Sequence, residues 1–149
     1  MKIRIDNVSK VIKKIKVLDQ VSLEFESGSI TGLKGINGSG KTMIMRVICG
    51  LIRPTEGKVF IDDRELKKDM DFPESIGVLI DSPAFLDNYS AYDNLRYMAS
   101  VKNIVSDKEI LELLDEVELS DAGKKKYRYF SLGMKQRLGI AAAVMEHPD

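Results

Sequence analysis

Gly35-Ile36-Asn37-Gly38-Ser39-Gly40-Lys41-Thr42 has the form G-x-x-x-x-G-K-[ST], and the fold reading of this chain starts there. Glycine at the fixed positions lets the backbone wrap closely around an anion, with successive N–H groups turned inward as donors. Lys41 supplies a mobile positive charge for β- and γ-phosphates, and the Thr42 hydroxyl is of the type that ligates Mg²⁺. The flanks give the loop its context. Upstream, Ser29-Ile30-Thr31-Gly32-Leu33 is a short apolar run, expected to be a buried strand. Downstream, Ile44, Val47, Ile48 and Leu51 recur at i, i+3, i+4 and i+7, one face of a helix, with Gly50 and Pro54 as stop signals. A loop between strand and helix places the positive end of the helix dipole at the anion, so a nucleotide site is expected at residues 35–43, Met43 included.

Working outward, Val21, Leu23 and Phe25 alternate with Ser22, Glu24 and Glu26, a half-buried strand. Arg53 to Gly57 reads as a turn before the strand Lys58–Ile61, and Ile76–Ile80 reads as a further buried strand ending at Asp81-Ser82-Pro83. From Ser90 the pattern becomes helical. Ser90 is placed to cap a helix carrying Leu95, Met98 and Ala99. Ser106 and Glu109 form a capping box ahead of the stripe Ile110, Leu113, Leu114 and Val117. A last helix opens near Ser131 and carries Leu138, Ala141, Ala142 and Met145 on one face. The outline is α/β, a core with a helical insertion: core strands and loop over 1–89, a helical subdomain over 90–130, and a final helix over 131–149.

The chain has 149 residues, 44% of them hydrophobic, and 23 basic residues balance 23 acidic ones. That is enough for a packed core and gives no global positive charge of the kind that recruits nucleic acid. The lysines at 13–16 and 124–126 are read as solvated loops. No apolar run is long enough to span a bilayer, and the first residues lack the apolar core of a signal peptide. Cys49 is the single cysteine and is read as buried filler.

Phe130-Ser131-Leu132-Gly133-Met134-Lys135-Gln136-Arg137 opens the last helix with a capping serine and a glycine. Set beside the phosphate loop, Val17-Leu18-Asp19-Gln20-Val21-Ser22-Leu23 and Asn94-Leu95, it makes the whole chain resemble the ATP-binding subunit of an ABC transporter. S-L-G-M-K-Q-R-L, with Ile80-Asp81-Ser82-Pro83-Ala84-Phe85 upstream, is similar to the bacitracin- and lantibiotic-type exporter branch. The resemblance implies a P-loop NTPase core, with antiparallel strands and a helical subdomain, that binds ATP and Mg²⁺. It implies a head-to-tail pair of such domains, in which Ser131, Leu132, Gly133 and Met134 contact the ATP held by the partner copy. It also implies a transmembrane permease partner, and hence a cytoplasmic position on the inner face of the membrane, with the full-length parent hydrolysing ATP to drive transport.

Three departures accompany the resemblance. Ile12 stands where the family commonly places an aromatic against adenine. Asp81 stands where a glutamine commonly touches Mg²⁺, so a Mg²⁺ role passes to Asp81 alongside Thr42. The sequence stops at Glu146-His147-Pro148-Asp149, ahead of the family's Walker B aspartate, catalytic glutamate and switch histidine. The chain is therefore expected to be a fragment without an identifiable catalytic residue and without hydrolysis of its own, and His147 is read as a surface residue. Alternatives are a soluble ABC-type ATPase in translation or DNA repair, and a non-catalytic nucleotide-binding interaction module. A GTPase is disfavoured because no N-K-x-D run occurs. The transported molecule is not legible in these residues.

Overall fold

The computed structural model describes residues 1–122 and 124–149. The chain forms two compact units, Met1–Ile76 with Asp149, and Gly77–Pro148.

The first unit is built on a four-stranded antiparallel sheet, ordered β2-β1-β3-β4, from β1 (Lys2–Ile12), β2 (Ile15–Glu26), β3 (Glu56–Ile61) and β4 (Arg64–Glu65). Strands β1 and β2 form a hairpin closed by Lys13 and Lys14, both at positive φ (47° and 68°), the twist that a two-residue hairpin turn requires. Simple alternation along β1 would put Ile5 and Asn7 on one face. A bulge at Asn7 (φ 50°) resets the phase, so that Ile5 and Val8 both point inward. Gln20 (φ 48°) accompanies the matching shift in β2, between Leu18 and the expected Val21, Leu23, Phe25 series. Ile5, Val8, Leu18, Val59 and Ile61 form a core with Val47 and Ile48 of α1 (Lys41–Ile48). Helix α1 ends where its glycine predicts. Gly50 adopts φ 72°, Leu51 N–H donates to the Arg46 carbonyl at 3.0 Å, and Gly50 N–H donates to Val47 at 3.1 Å. Leu51 itself is 60% exposed, so the buried stripe stops at Ile48.

Two expected strands do not form. Residues 29–33 and 76–80 have no ladder partner among the described residues, and Ile30 stands fully exposed. An apolar run becomes a strand only when a neighbour takes its N–H and C=O groups.

The second unit is helical: α2 (Ala91–Ala99), α3 (Asp107–Glu116) and α4 (Leu132–Val144), with single helical turns at Ser120–Ala122 and Tyr127–Tyr129. Each helix begins at a predicted serine. Ser90 and Ser106 make complete capping boxes with Asp93 and Glu109, and the Ser131 hydroxyl accepts from Met134 N–H at 3.3 Å. Leu95, Ile110, Leu114, Leu138, Ala141 and Met145 pack with Leu119, Tyr127 and Phe130 into one core. On α2 the buried positions are Ala91, Asn94, Leu95 and Ala99, while the expected Met98 is 38% exposed. Asn94 tolerates burial because it is fully bonded, donating to the Ser90 and Leu86 carbonyls and accepting from Leu86 N–H.

Candidate functional site

In the first unit, residues 35–40 form an exposed loop that turns into α1 through Gly38 (φ 83°) and Gly40 (φ 91°). Ser39 N–H donates to the Ile36 carbonyl at 3.2 Å, closing the turn. Space as well as φ restricts these positions. A Cβ on Gly40 would stand 2.8 Å from Leu18 Cδ2 and 2.9 Å from the Val17 carbonyl oxygen, and one on Gly35 2.6 Å from Ser39 Oγ. Strand β2 therefore buttresses the loop at Val17 and Leu18, a contact with no local signal in the sequence. Ile12 lies on the same hairpin, paired with Ile15 at its tip and 37% exposed.

The electrostatics of the loop favour an anion. The Lys41 ammonium donates to the Gly35 and Ile36 carbonyls, each at 2.8 Å, so the charge lies across the loop against neutral acceptors. Helix α1 begins at Gly40 with no side-chain cap and no acidic residue in its first turn. Its positive end is left uncompensated. Thr42 and Met43 follow, both half-buried. The Met43 side chain packs against the sheet core, which leaves its backbone amide as what it can offer a ligand.

Asp81 and the 131–134 segment belong to the second unit. Asp81 is exposed, at φ 63°. Ser131 is engaged in capping α4, Leu132 is 71% exposed, and Met134 is half-buried. A Cβ on Gly133 would meet nothing within 4 Å. Helix α4, like α1, has no acid in its first turn, whereas α2 carries Asp93 there and α3 carries Asp107 and Glu109. Helices α1 and α4 thus both start without a negative charge, α1 uncapped and α4 capped by the neutral Ser131 hydroxyl.

Other residues take structural places. Tyr127 is 3% exposed and part of the helical core, and Tyr129 is an exposed residue beneath the Arg128 guanidinium. Cys49 is buried, and burial pushes its thiol pKa up, as filler rather than a nucleophile. His147 is exposed, its ring 3.4 Å from Glu109 Oε1. Among the described residues no cluster of His, Cys, Asp or Glu could hold a metal by itself, and no helix is long and apolar enough to cross a membrane.

Comparison with known proteins agrees with this geometry. The sequence profile of the ABC transporter family matches residues 18–149. The chain is 48% identical over 147 residues to the uncharacterized ABC transporter ATP-binding protein YybJ of Bacillus subtilis, covering 99% of this chain and 67% of that protein. It is 37% identical over 147 residues to the lantibiotic transport ATP-binding protein SrtF of Streptococcus pyogenes, covering 98% of this chain and 62% of the relative. The fold superposes on a dimeric ATP-binding cassette in a post-hydrolysis state, bound to ADP and phosphate, with a TM-score of 0.85 and 26% identity over 98% of this chain and 70% of that one. The chain thus spans about two thirds of the length of these relatives. On the strength of its phosphate loop, its fold and these likenesses, the chain belongs to the ABC transporter family, as part of its ATP-binding domain.

Proposed function

We propose that this chain is the nucleotide-holding part of the energy-coupling subunit of an ABC exporter. The observation that carries the reading is the loop at 35–41, whose one ammonium donates to its own Gly35 and Ile36 carbonyls at the uncapped start of a helix. Residues 35–43 would hold the triphosphate. On binding, Lys41 exchanges two neutral acceptors for charged oxygens, and hydrogen bonds to charged groups are the stronger ones. The N–H groups of the loop and of the first turn of α1 donate to the same anion. Mg²⁺, with the Thr42 hydroxyl as a protein donor, would screen the phosphate charge. Ile12 offers an apolar contact to the base without a ring face to stack.

The segment Ser131–Met134 is read as the second half of a shared site, presented to ATP held by another copy in a head-to-tail pair. The open space over Gly133 and the acid-free first turn of α4 support that reading. ATP hydrolysis by the longer protein, a permease partner in the membrane and a place on its cytoplasmic face belong to the same proposal. SrtF, named for lantibiotic transport, supports the exporter assignment.

The test is Lys41→Ala. Its MgATP affinity, by titration calorimetry, is expected to fall about 10- to 100-fold, since a hydrogen bond to a charged group is worth about 1.5–3 kcal/mol. An unchanged affinity would remove the nucleotide from this loop.

A further inference from the structure

Helix α3 is charged against its own dipole. The carbonyl end of a helix favours cations, yet α3 ends on Asp115 and Glu116 and has no basic residue in its last turn. Residues 107–121 hold seven acidic residues and one lysine, Lys108, in a chain whose net charge is zero. Arg96, Arg137 and His147 meet Asp107, Glu118 and Glu109 from other elements, which leaves the far side of the helix acidic. A groove of about 780 Å³ lies there, within the second unit. Its apolar part is Tyr92, the buried Leu114 and Leu111, which is 58% exposed. Its charged lining sets Glu112, Asp115 and Asp121 against Lys124. Glu112 lies 3.2 Å from Lys108, and Asp115 accepts from the neutral Ser120 hydroxyl at 2.6 Å. Such a groove repels nucleotides, nucleic acid and anionic lipid, and suits a ligand that carries ammonium groups beside an aliphatic side chain.

The chain itself has a group of that kind. At the tip of the β1–β2 hairpin, Ile15 is 67% exposed between the exposed Lys13, Lys14 and Lys16. Lys16 pairs with Asp19 at 2.9 Å, whereas Lys13 and Lys14 have no acidic partner among the described residues. The turn conformation asks for neither charge nor an aliphatic neighbour.

We propose that the groove along α3 receives the hairpin tip of a second copy of this chain, Ile15 entering against Leu111 and Tyr92, with Lys13 and Lys14 set against Glu112 and Asp115. The proposal rests on the pairing of two copies read above, and gives it a contact that uses no residue of the phosphate loop or of 131–134.

The test exchanges the charges. Sedimentation velocity of the full chain, with and without MgATP, compares wild type, Lys13→Glu/Lys14→Glu, Glu112→Lys/Asp115→Lys, and an equimolar mixture of the two variants. Wild type is expected to associate, and less so as salt is raised. Each variant alone sets like charges against each other and is expected to associate about 10-fold more weakly. The mixture is expected to recover, because the reversed tip then meets the reversed groove and the unchanged tip meets the unchanged groove. Circular dichroism checks the fold of each variant. Should a reversal unfold the chain, Lys13→Gln/Lys14→Gln and Glu112→Gln/Asp115→Asn take its place, each expected to weaken association. Variants that associate as wild type does overturn the proposal, as does a mixture of the reversed pair that stays as weak as its components. Wild type that stays monomeric in both conditions overturns it too. MgATP affinity is titrated on wild type separately: its absence would sink the nucleotide reading, while the sedimentation results still decide the contact.

Discussion

Gly40 and Gly133 both stand at the start of a helix, and for different reasons. Gly40 sits at φ 91° with a backbone oxygen and a leucine methyl where its Cβ would go, so the fold itself demands glycine. Gly133 has neither a positive φ nor any neighbour within 4 Å of a Cβ. Nothing inside the unit asks for glycine there, and alanine is the better helix former by up to about 1 kcal/mol. Gly133→Ala should accordingly raise the stability of the helical unit by about 0.5 kcal/mol, the lower part of that range because the site lies in the first turn. The same substitution should weaken MgATP-dependent pairing, because a methyl group then intrudes where the partner's phosphate is proposed to approach. Urea denaturation checks the first effect, and sedimentation with and without MgATP checks the second. A variant that is more stable and still pairs fully would take Gly133 out of the shared site.

Helix caps are local and act over four residues, which is why Ser90, Ser106 and Ser131 were all legible in the sequence. The α3 cap is also pH-dependent. Hydrogen bonds from the Ser106 hydroxyl and the Ser106 amide, then the contact with His147, hold the Glu109 carboxyl at about 2 instead of 4.5. A carboxyl lowered by folding stabilises the folded state above its unfolded value, and that stabilisation is lost as pH falls from about 4.5 toward 2. Glu109→Gln keeps a capping-box acceptor without the charge, so it should melt below wild type near neutral pH, with the gap narrowing by about pH 3. Thermal melts followed by circular dichroism at both pH values check this, and a gap that stays constant would trace the effect to packing. Strands are less legible than caps. Residues 29–33 and 76–80 have the right composition, but pairing is decided by distant segments. The bulge at Asn7 has no signature that separates it from plain alternation, and the buttress of Val17 and Leu18 on Gly40 exists only once the chain has folded. The loop at 35–40 and the start of α1 at Lys41 were legible because glycines at positive φ and the helical stripe after them are local signals. Asn94 was visible only through the family resemblance, since a buried amide is told from an exposed one by its partners alone.

On the scale of the whole molecule, the two units have cores that share no residue. One is built on Ile5, Val8, Leu18, Val47 and Val59, the other on Leu95, Ile110, Leu114 and Leu138. The phosphate loop and its β2 buttress belong to the first, the 131–134 segment to the second. Leu138 is fully buried on α4, and Leu138→Ala should destabilise its unit by about 2–5 kcal/mol through lost burial and the cavity left behind. Amides of α2, α3 and α4 should then exchange faster, while those of β1 and β3 keep their protection and MgATP affinity stays that of wild type, because no atom of the loop's support has been touched. Native-state exchange together with nucleotide titration of the same variant reads both units at once. Equal loss of protection in the strands and the helices would mean that the chain unfolds as one cooperative body, with the helical core supporting the phosphate loop as much as the sheet does.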